Sequence, residues 1–144
     1  LTGTYSYNDS RFRSDVPGAN GTVLVATRDK IVPDAPQHLL KGDINISQGG
    51  FYGTLTGILQ SKRYVTLEND RSVPDRFLAD LSAGYSFSGN RLLNGLSLEL
   101  NVTNLFDKKY IAVINSGGTV ARGDNQTLLS GAPRQVYVTL RKKI

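Results

Sequence analysis

The run Phe77-Leu-Ala-Asp-Leu-Ser-Ala-Gly-Tyr-Ser-Phe87 alternates between two kinds of side chain. Phe77, Ala79, Leu81, Ala83, Tyr85 and Phe87 share one parity; Leu78, Asp80, Ser82, Gly84, Ser86 and Ser88 share the other. Successive side chains of a strand point to opposite sides, so this period of two predicts a β-strand with one apolar face. The pattern recurs along the chain. Leu1, Gly3, Tyr5 and Tyr7 oppose Thr2, Thr4, Ser6 and Asn8. Leu40, Gly42, Ile44 and Ile46 oppose Lys41, Asp43, Asn45 and Ser47. Phe51, Gly53, Leu55, Gly57 and Leu59 oppose Tyr52, Thr54, Thr56, Ile58 and Gln60. Leu96, Leu98, Leu100 and Val102 oppose Ser97, Glu99, Asn101 and Thr103. Val136, Val138 and Leu140 oppose Gln135, Tyr137, Thr139 and Arg141. Leu78, Ile58, Tyr52 and Tyr137 break a strict rule, but the second parity is otherwise polar. No stretch competes as a long amphipathic helix. Strands separated by turns predict an all-β, antiparallel up-and-down meander of about six strands.

The 144 residues carry 17 basic and 12 acidic side chains, a formal charge of +5, and no Cys, Met or Trp. The missing Cys excludes a disulfide framework or thiolate metal site. The longest wholly apolar run, Tyr110–Ile114, is far short of the roughly 18–20 residues of a membrane-spanning helix. The polar, turn-rich start does not read as a signal segment. With no Met and Leu1 first, the chain is expected to be processed or a piece of something longer. The net charge is too mild and dispersed to predict nucleic-acid binding.

Link lengths add a direction. The links near Asp9–Gln37, Val65–Arg76 and Asp107–Pro133 are long or intermediate; those near Ser47–Gly50 and Ser88–Gly95 are short. A meander sends alternate links to opposite ends, so one end carries loops and the other tight turns, the habit of outer-membrane β-barrels. Most runs supply the roughly 9–11 residues a tilted strand needs to cross the hydrocarbon. Phe51, Tyr85 and Phe87 fall at the short-turn end and Tyr7 and Phe77 at the loop end, as two aromatic girdles would require. Lys41, Asp43, Asn45, Asp80, Glu99 and Asn101 would face a wet lumen, since a soluble core rarely holds so many charges. Six strands cannot close a barrel, for which about eight is the minimum. The chain is therefore expected to be part of a larger barrel or to assemble with copies of itself.

The stretch Leu98-Glu-Leu-Asn-Val-Thr-Asn-Leu-Phe-Asp-Lys-Lys-Tyr110 resembles the penultimate-strand signature of TonB-dependent outer-membrane receptors. Gly131-Ala-Pro-Arg-Gln-Val-Tyr-Val-Thr-Leu-Arg141 resembles the start and body of their closing strand, and Phe77–Phe87 the strand before these two. Val32-Pro-Asp-Ala-Pro-Gln-His-Leu-Leu40 is similar to the family's return from an outer loop. The resemblance implies that residues 1–144 are the closing segment of a transmembrane β-barrel of about 22 strands, without its plug domain. It implies a bacterial outer-membrane location and import of a ferric siderophore or similar bulky nutrient, such as cobalamin, haem or a glycan. Energy would come through TonB, by way of an N-terminal part not contained in these residues. It implies no enzyme activity and no cofactor. The partners implied are outer-membrane lipid and lipopolysaccharide, the rest of the barrel and the plug. The family commonly ends in an aromatic residue, whereas this sequence ends Arg141-Lys-Lys-Ile144; either Lys142, at lipid-facing parity, snorkels to the interface, or the true terminus lies further on.

Asn104-Leu-Phe-Asp107 interrupts the alternation and is expected to be a bulge or bend where the strand leaves the membrane. Pro133 suits the first residue of a returning strand, since it lacks an amide donor. Arg63, Tyr64, Arg71, Arg76, Tyr110 and Arg122 lie in or beside the loop end, with Lys108 among them. Cations with rings there could hold an anionic chelate by charge and stacking, or form a solvated rim that meets lipopolysaccharide phosphates or acids such as Glu68 and Asp75. The first long link balances Arg11, Arg13, Arg28 and Lys30 against Asp9, Asp15, Asp29 and Asp34, so it makes no net anion trap. His38, the only histidine, is expected to hydrogen-bond at a strand end, because a metal site or triad would need partners the sequence does not place near it. Glu68, Asp70, Asp75 and Asp80 lack calcium-loop spacing. The sequons at Asn8, Asn20, Asn45, Asn101 and Asn125 are read as chance products of an Asn/Ser/Thr-rich face. The rival reading is a soluble β-sandwich that binds carbohydrate, since a sandwich also gives each sheet one apolar face.

Overall fold

A computed structural model describes residues 1–17, 24–88, 93–115 and 126–143. In chain order the strands are β1 (Thr2–Tyr7), β2 (Val16–Pro17), β3 (Leu24–Val25), β4 (His38–Gln48), β5 (Phe51–Gln60) and β6 (Arg63–Tyr64). There follow β7 (Ser72–Val73), β8 (Arg76–Ser86), β9 (Leu96–Thr103), β10 (Ile111–Asn115), β11 (Thr127–Ser130) and β12 (Gln135–Lys142). The six long strands form one sheet in the order β1-β4-β5-β8-β9-β12, every neighbouring pair antiparallel. This is the predicted up-and-down meander. The long links, read from sequence as plain loops, carry three small ribbons of their own: β2–β3, β6–β7 and β10–β11.

The register holds like with like. Leu40 pairs Leu59 and Ile44 pairs Leu55 across β4–β5. Leu55 pairs Leu81 and Leu59 pairs Phe77 across β5–β8. Leu81 pairs Val102 and Ala83 pairs Leu100 across β8–β9, and Leu100 pairs Val138 across β9–β12. The other parity stays in step as well: Asp43 with Thr56, Thr56 with Asp80, Ser82 with Asn101, and Glu99 with Thr139. A one-residue slip anywhere would mix the two faces.

Among the described residues no second sheet lies on either face. The apolar face is bare: Ile46, Leu59, Leu98, Val138 and Leu140 are all exposed. In water such a patch would be an aggregation surface. The polar face is a hydrogen-bonded mesh. Thr56 donates to Asp43 at 2.8 Å, Thr54 to Asn45 at 2.7 Å, and Asn101 to Glu99 at 2.8 Å.

Both expected aromatic levels are present. At the turn end Phe51 sits opposite Tyr85, whose ring meets Phe87 edge-on at 4.9 Å. At the loop end Phe77 meets Phe106 at 5.9 Å, and Tyr7 meets His38 at 5.2 Å. His38 fills the strand-end role expected of it, with Nδ1 2.8 Å from the Tyr5 hydroxyl and its amide donating to Ser61 Oγ at 3.0 Å. The β4–β5 link is a two-residue turn at Gly49 (φ 58°) and Gly50 (φ 87°), the left-handed pair that suits the strand twist. At the same end Lys142 donates to the Asn94 carbonyl at 2.6 Å, so its charge leaves the apolar face for the turn.

Candidate functional site

The loop end is where the chain builds a core. Val65, Val73 and Ile114 are buried together with Ile111 packed against them, and they come from two different links. Polar ties extend this unit to the first link. The Asn69 side chain pairs with the Ile31 backbone in both directions, accepting from its amide at 2.7 Å and donating to its carbonyl at 2.8 Å. Asn69 takes φ 58° to do so, a conformation Asn tolerates better than most residues. The Asp34 amide donates to the Tyr64 carbonyl at 2.9 Å.

Arg63 is the post on which the three links meet. It is 6% exposed. Its Nη1 donates to Asp34 Oδ1 at 2.6 Å and its Nη2 to the Ile111 carbonyl at 2.7 Å. Arg76 Nη1 donates to the same carbonyl at 3.0 Å. A buried guanidinium is tolerated when acceptors replace water, and here they do. Gln126 adds a further tie to the Val65 carbonyl.

Asn104 organises the bend after β9. It is 5% exposed. Its amide donates to Asp80 Oδ1 at 2.8 Å, its Nδ2 to the Lys108 and Ala132 carbonyls at 2.9 and 3.1 Å, and its Oδ1 accepts from the Lys108 amide at 2.9 Å. Asn104 and Asp107 both have positive φ, 49° and 50°. Asp107 then accepts the Arg134 amide at 2.9 Å, which joins the bend to the start of β12. The Asn-Leu-Phe-Asp and Pro-Arg motifs are thus two halves of one structural joint.

Beyond the joint lies a cavity of about 440 Å³, lined by Lys108, Lys109, Tyr110, Ile111, Ser130 and Pro133 among others. The Arg76 guanidinium stacks 4.8 Å from the Tyr110 ring centre. The Tyr110 ring lies so close to Gly131 that an added Cβ would fall 2.0 Å from it. Only glycine allows the ring this position.

In the first link Asp15 accepts the amides of Thr27 at 2.9 Å and Arg28 at 3.0 Å. The hydrogen bond donated by the Arg28 amide holds its carboxyl below the usual carboxylate value; desolvation opposes this, and the hydrogen bond from the Thr27 amide adds to the lowering.

Of the residues the sequence proposes for ligand contact, Arg63, Arg76 and Tyr110 come together through Ile111 and the stacked ring. Tyr64 follows Arg63 in β6, with the Lys62 ammonium 5.1 Å from its ring centre. Arg71 lies across the small ribbon, its carbonyl accepting the Val65 amide at 3.0 Å. Arg122 lies outside the described residues. Asp34 is the acid that meets Arg63. Sequence reasoning missed Lys109 and the cavity. The adjacent Lys108-Lys109-Tyr110 run was the available signal, but only the fold brings Gly131 and Pro133 to it.

No family model matches the chain. The ferrioxamine B receptor of Salmonella typhimurium is 33% identical over 121 residues, which is 81% of this chain and 16% of the relative. The solved ferric preacinetobactin receptor of Acinetobacter baumannii is 26% identical with a TM-score of 0.58, over 94% of this chain and 18% of its own. The ferric-catecholate import receptor of E. coli K12 superposes with a TM-score of 0.64 at 20% identity, over 96% of this chain and 17% of its own, and speaks for the fold. The chain thus spans about a sixth of the length of the proteins it matches.

Proposed function

The chain belongs to the TonB-dependent outer-membrane receptors, and from that premise we propose that it is the C-terminal barrel wall of a receptor importing a ferric siderophore or similar chelate. One observation carries the reading: a six-stranded sheet with a largely exposed apolar face, a hydrogen-bonded polar face and, among the described residues, no second sheet over either. Acyl chains satisfy the first face and a watered channel the second. The outer edges of β1 and β12 have no neighbour among the described residues. In hydrocarbon each unpaired backbone group costs several kcal/mol, so both edges call for further strands of about 22 in all. A soluble sandwich would instead bury the apolar face under a second layer.

In this reading the chain is a transporter component and catalyses no reaction. A plug domain fills the channel, TonB relays energy to it, and lipopolysaccharide surrounds the loop end. Arg63, Tyr64, Arg71, Arg76 and Tyr110 lie at or near the mouth the chelate enters, and Arg122, proposed with them from the sequence, falls outside the described residues. Arg63 and Arg76 serve there by holding the links in place, because their guanidinium groups already bond Asp34 and Ile111. The test is uptake of radiolabelled iron, presented as ferrioxamine B, ferric citrate or a ferric catecholate, by iron-starved cells with and without the complete receptor. Uptake that requires both the receptor and TonB is expected; equal uptake by the deletion strain would refute the proposal.

A further inference from the structure

We infer that the turn end of β9 and β12 is a seat for an anionic phospholipid of the periplasmic leaflet. Arg141, Lys142 and Lys143 draw its phosphate, and the apolar face beside them receives its chains. The inference rests on the barrel-wall reading and adds a partner that the wall selects. Charge at this end has one sign. Residues 44–55, 81–98 and 138–144 contain no Asp or Glu, yet they hold Arg91, Arg141, Lys142 and Lys143; Arg91 falls outside the described residues. The loop end differs, for there acids and bases are interleaved, as in the pairs Asp9–Arg11 and Asp34–Arg63.

The cations also stand at headgroup level. On the apolar parity, Tyr85, Leu98 and Leu140 form one rung across β8, β9 and β12. The next rung toward the turns is Phe87, whose amide donates to the Leu96 carbonyl at 2.8 Å, then Leu96 and Lys142. Lys142 thus lies two residues, about 7 Å of strand, beyond an uncharged rung, level with rings that suit the interface. Its ammonium bonds the Asn94 carbonyl, a neutral acceptor that keeps the charge at the rim without cancelling it. The Lys143 amide donates to the Gly95 carbonyl at 2.8 Å, which fixes the end of β12 to the turn. Arg141 sits on the channel parity opposite Ser97. The acid closest to it in register, Glu99, already accepts from Asn101 at 2.8 Å and Tyr52 at 3.4 Å. Like cations held beside an exposed apolar surface complement a lipid whose headgroup is net negative. Phosphatidylglycerol meets that description; phosphatidylethanolamine does not, because its own ammonium offsets its phosphate.

The test places a reporter beside the seat, Leu98→Trp, in the complete receptor reconstituted in vesicles. Its fluorescence is read as the difference from the receptor without it, with brominated phosphatidylglycerol and brominated phosphatidylethanolamine as quenchers. At low salt phosphatidylglycerol should bind there about three- to tenfold more strongly, and high salt should shrink the preference, as expected for exposed charges. Arg141→Gln with Lys142→Gln and Lys143→Gln should bring the ratio close to one. Lys143→Gln alone, which leaves the bonds to Asn94 and Gly95 in place, should remove part of the preference. A second reporter, Val136→Trp, on the same parity at the loop end of β12, should not respond to these variants. Equal quenching by the two lipids before any cation is replaced, or a preference that survives the triple variant, overturns the seat. An equal response at Val136 also overturns it, as an effect of overall charge. Loss of the preference to inorganic phosphate at matched ionic strength does the same, assigning the cations to a free anion. If neither lipid quenches the reporter at Leu98, the wall reading fails first and the seat with it.

Discussion

Val138, in β12, is 69% exposed, whereas Val65, in the link after β5, is 5% exposed. Both are valines of one chain, and the difference between them is the difference between its two regions. In the wall, apolar side chains are displayed and the backbone ladder supplies the order. In the loop end, Val65, Val73 and Ile114 are buried while Arg63, Asn69 and Asn104 do the joining. The wall has solvent on both faces, acyl chains on one and water on the other, so it needs no core. The loops meet water all round and must enclose a core of their own to be held.

The largest expected effect breaks this contrast within the wall. Leu55→Arg should cost about 2–4 kcal/mol at mid-strand, as for a charge on the lipid face of a barrel, and Thr54→Arg, one residue away on the channel face, far less. Reversible urea unfolding of the complete receptor in micelles would measure both; equal losses would mean the two faces are not differently solvated. Next comes the joint. Asn104→Ala removes the side-chain partners of the Lys108 amide and the Lys108 and Ala132 carbonyls and should cost about 1–3 kcal/mol in the same assay. A loss below experimental error would demote Asn104 to a passive bend. Arg63→Met should act on the loops alone. Hydrogen exchange in the β6–β7 and β10–β11 ribbons should rise about tenfold, the loss of roughly one net hydrogen bond, while β5 and β8 stay protected. Exchange rising in both regions together would erase the distinction between them.

The smallest effect is acidic loosening of the first link. Asp15 titrates below its ordinary value of 3.8 when folded, so its carboxylate stabilises the link above the ordinary carboxylate range, and that stability fades as pH falls through the folded value. The Thr27 and Arg28 amide resonances should follow this titration by NMR, and Asp15→Asn should abolish it. Amides that titrate identically in the variant would assign the effect elsewhere.

The wall was legible in the sequence because its rule is local. Alternation from Phe77 to Phe87 places each residue on a face without knowledge of its neighbours, and Ile58 and Leu78, which break the rule singly, sit opposite one another in the sheet. The motifs around Asn104 and Pro133 were legible as a bend and a strand start, though not as halves of one joint. The loop end was legible only as a collection of charges. Whether an arginine waits for a ligand or ties a loop depends on which carbonyl the fold brings to it. For Arg63 that carbonyl belongs to Ile111, 48 residues further along the chain. The β2–β3 and β6–β7 ribbons escaped notice because two-residue strands such as Arg63–Tyr64 carry no measurable period.

The central claim is that alternate residues of the sheet meet lipid and water. The chain has no cysteine of its own, so single cysteines for spin labels can be placed in turn along β5 from Tyr52 to Leu59, in a complete receptor with any cysteine outside these residues replaced, reconstituted in bilayers. Collision rates with dissolved oxygen and with a water-soluble nickel chelate should alternate out of phase: oxygen high at Gly53, Leu55, Gly57 and Leu59, the chelate high at Tyr52, Thr54, Thr56 and Ile58. Profiles without a period of two, or with the phases exchanged, would contradict the account.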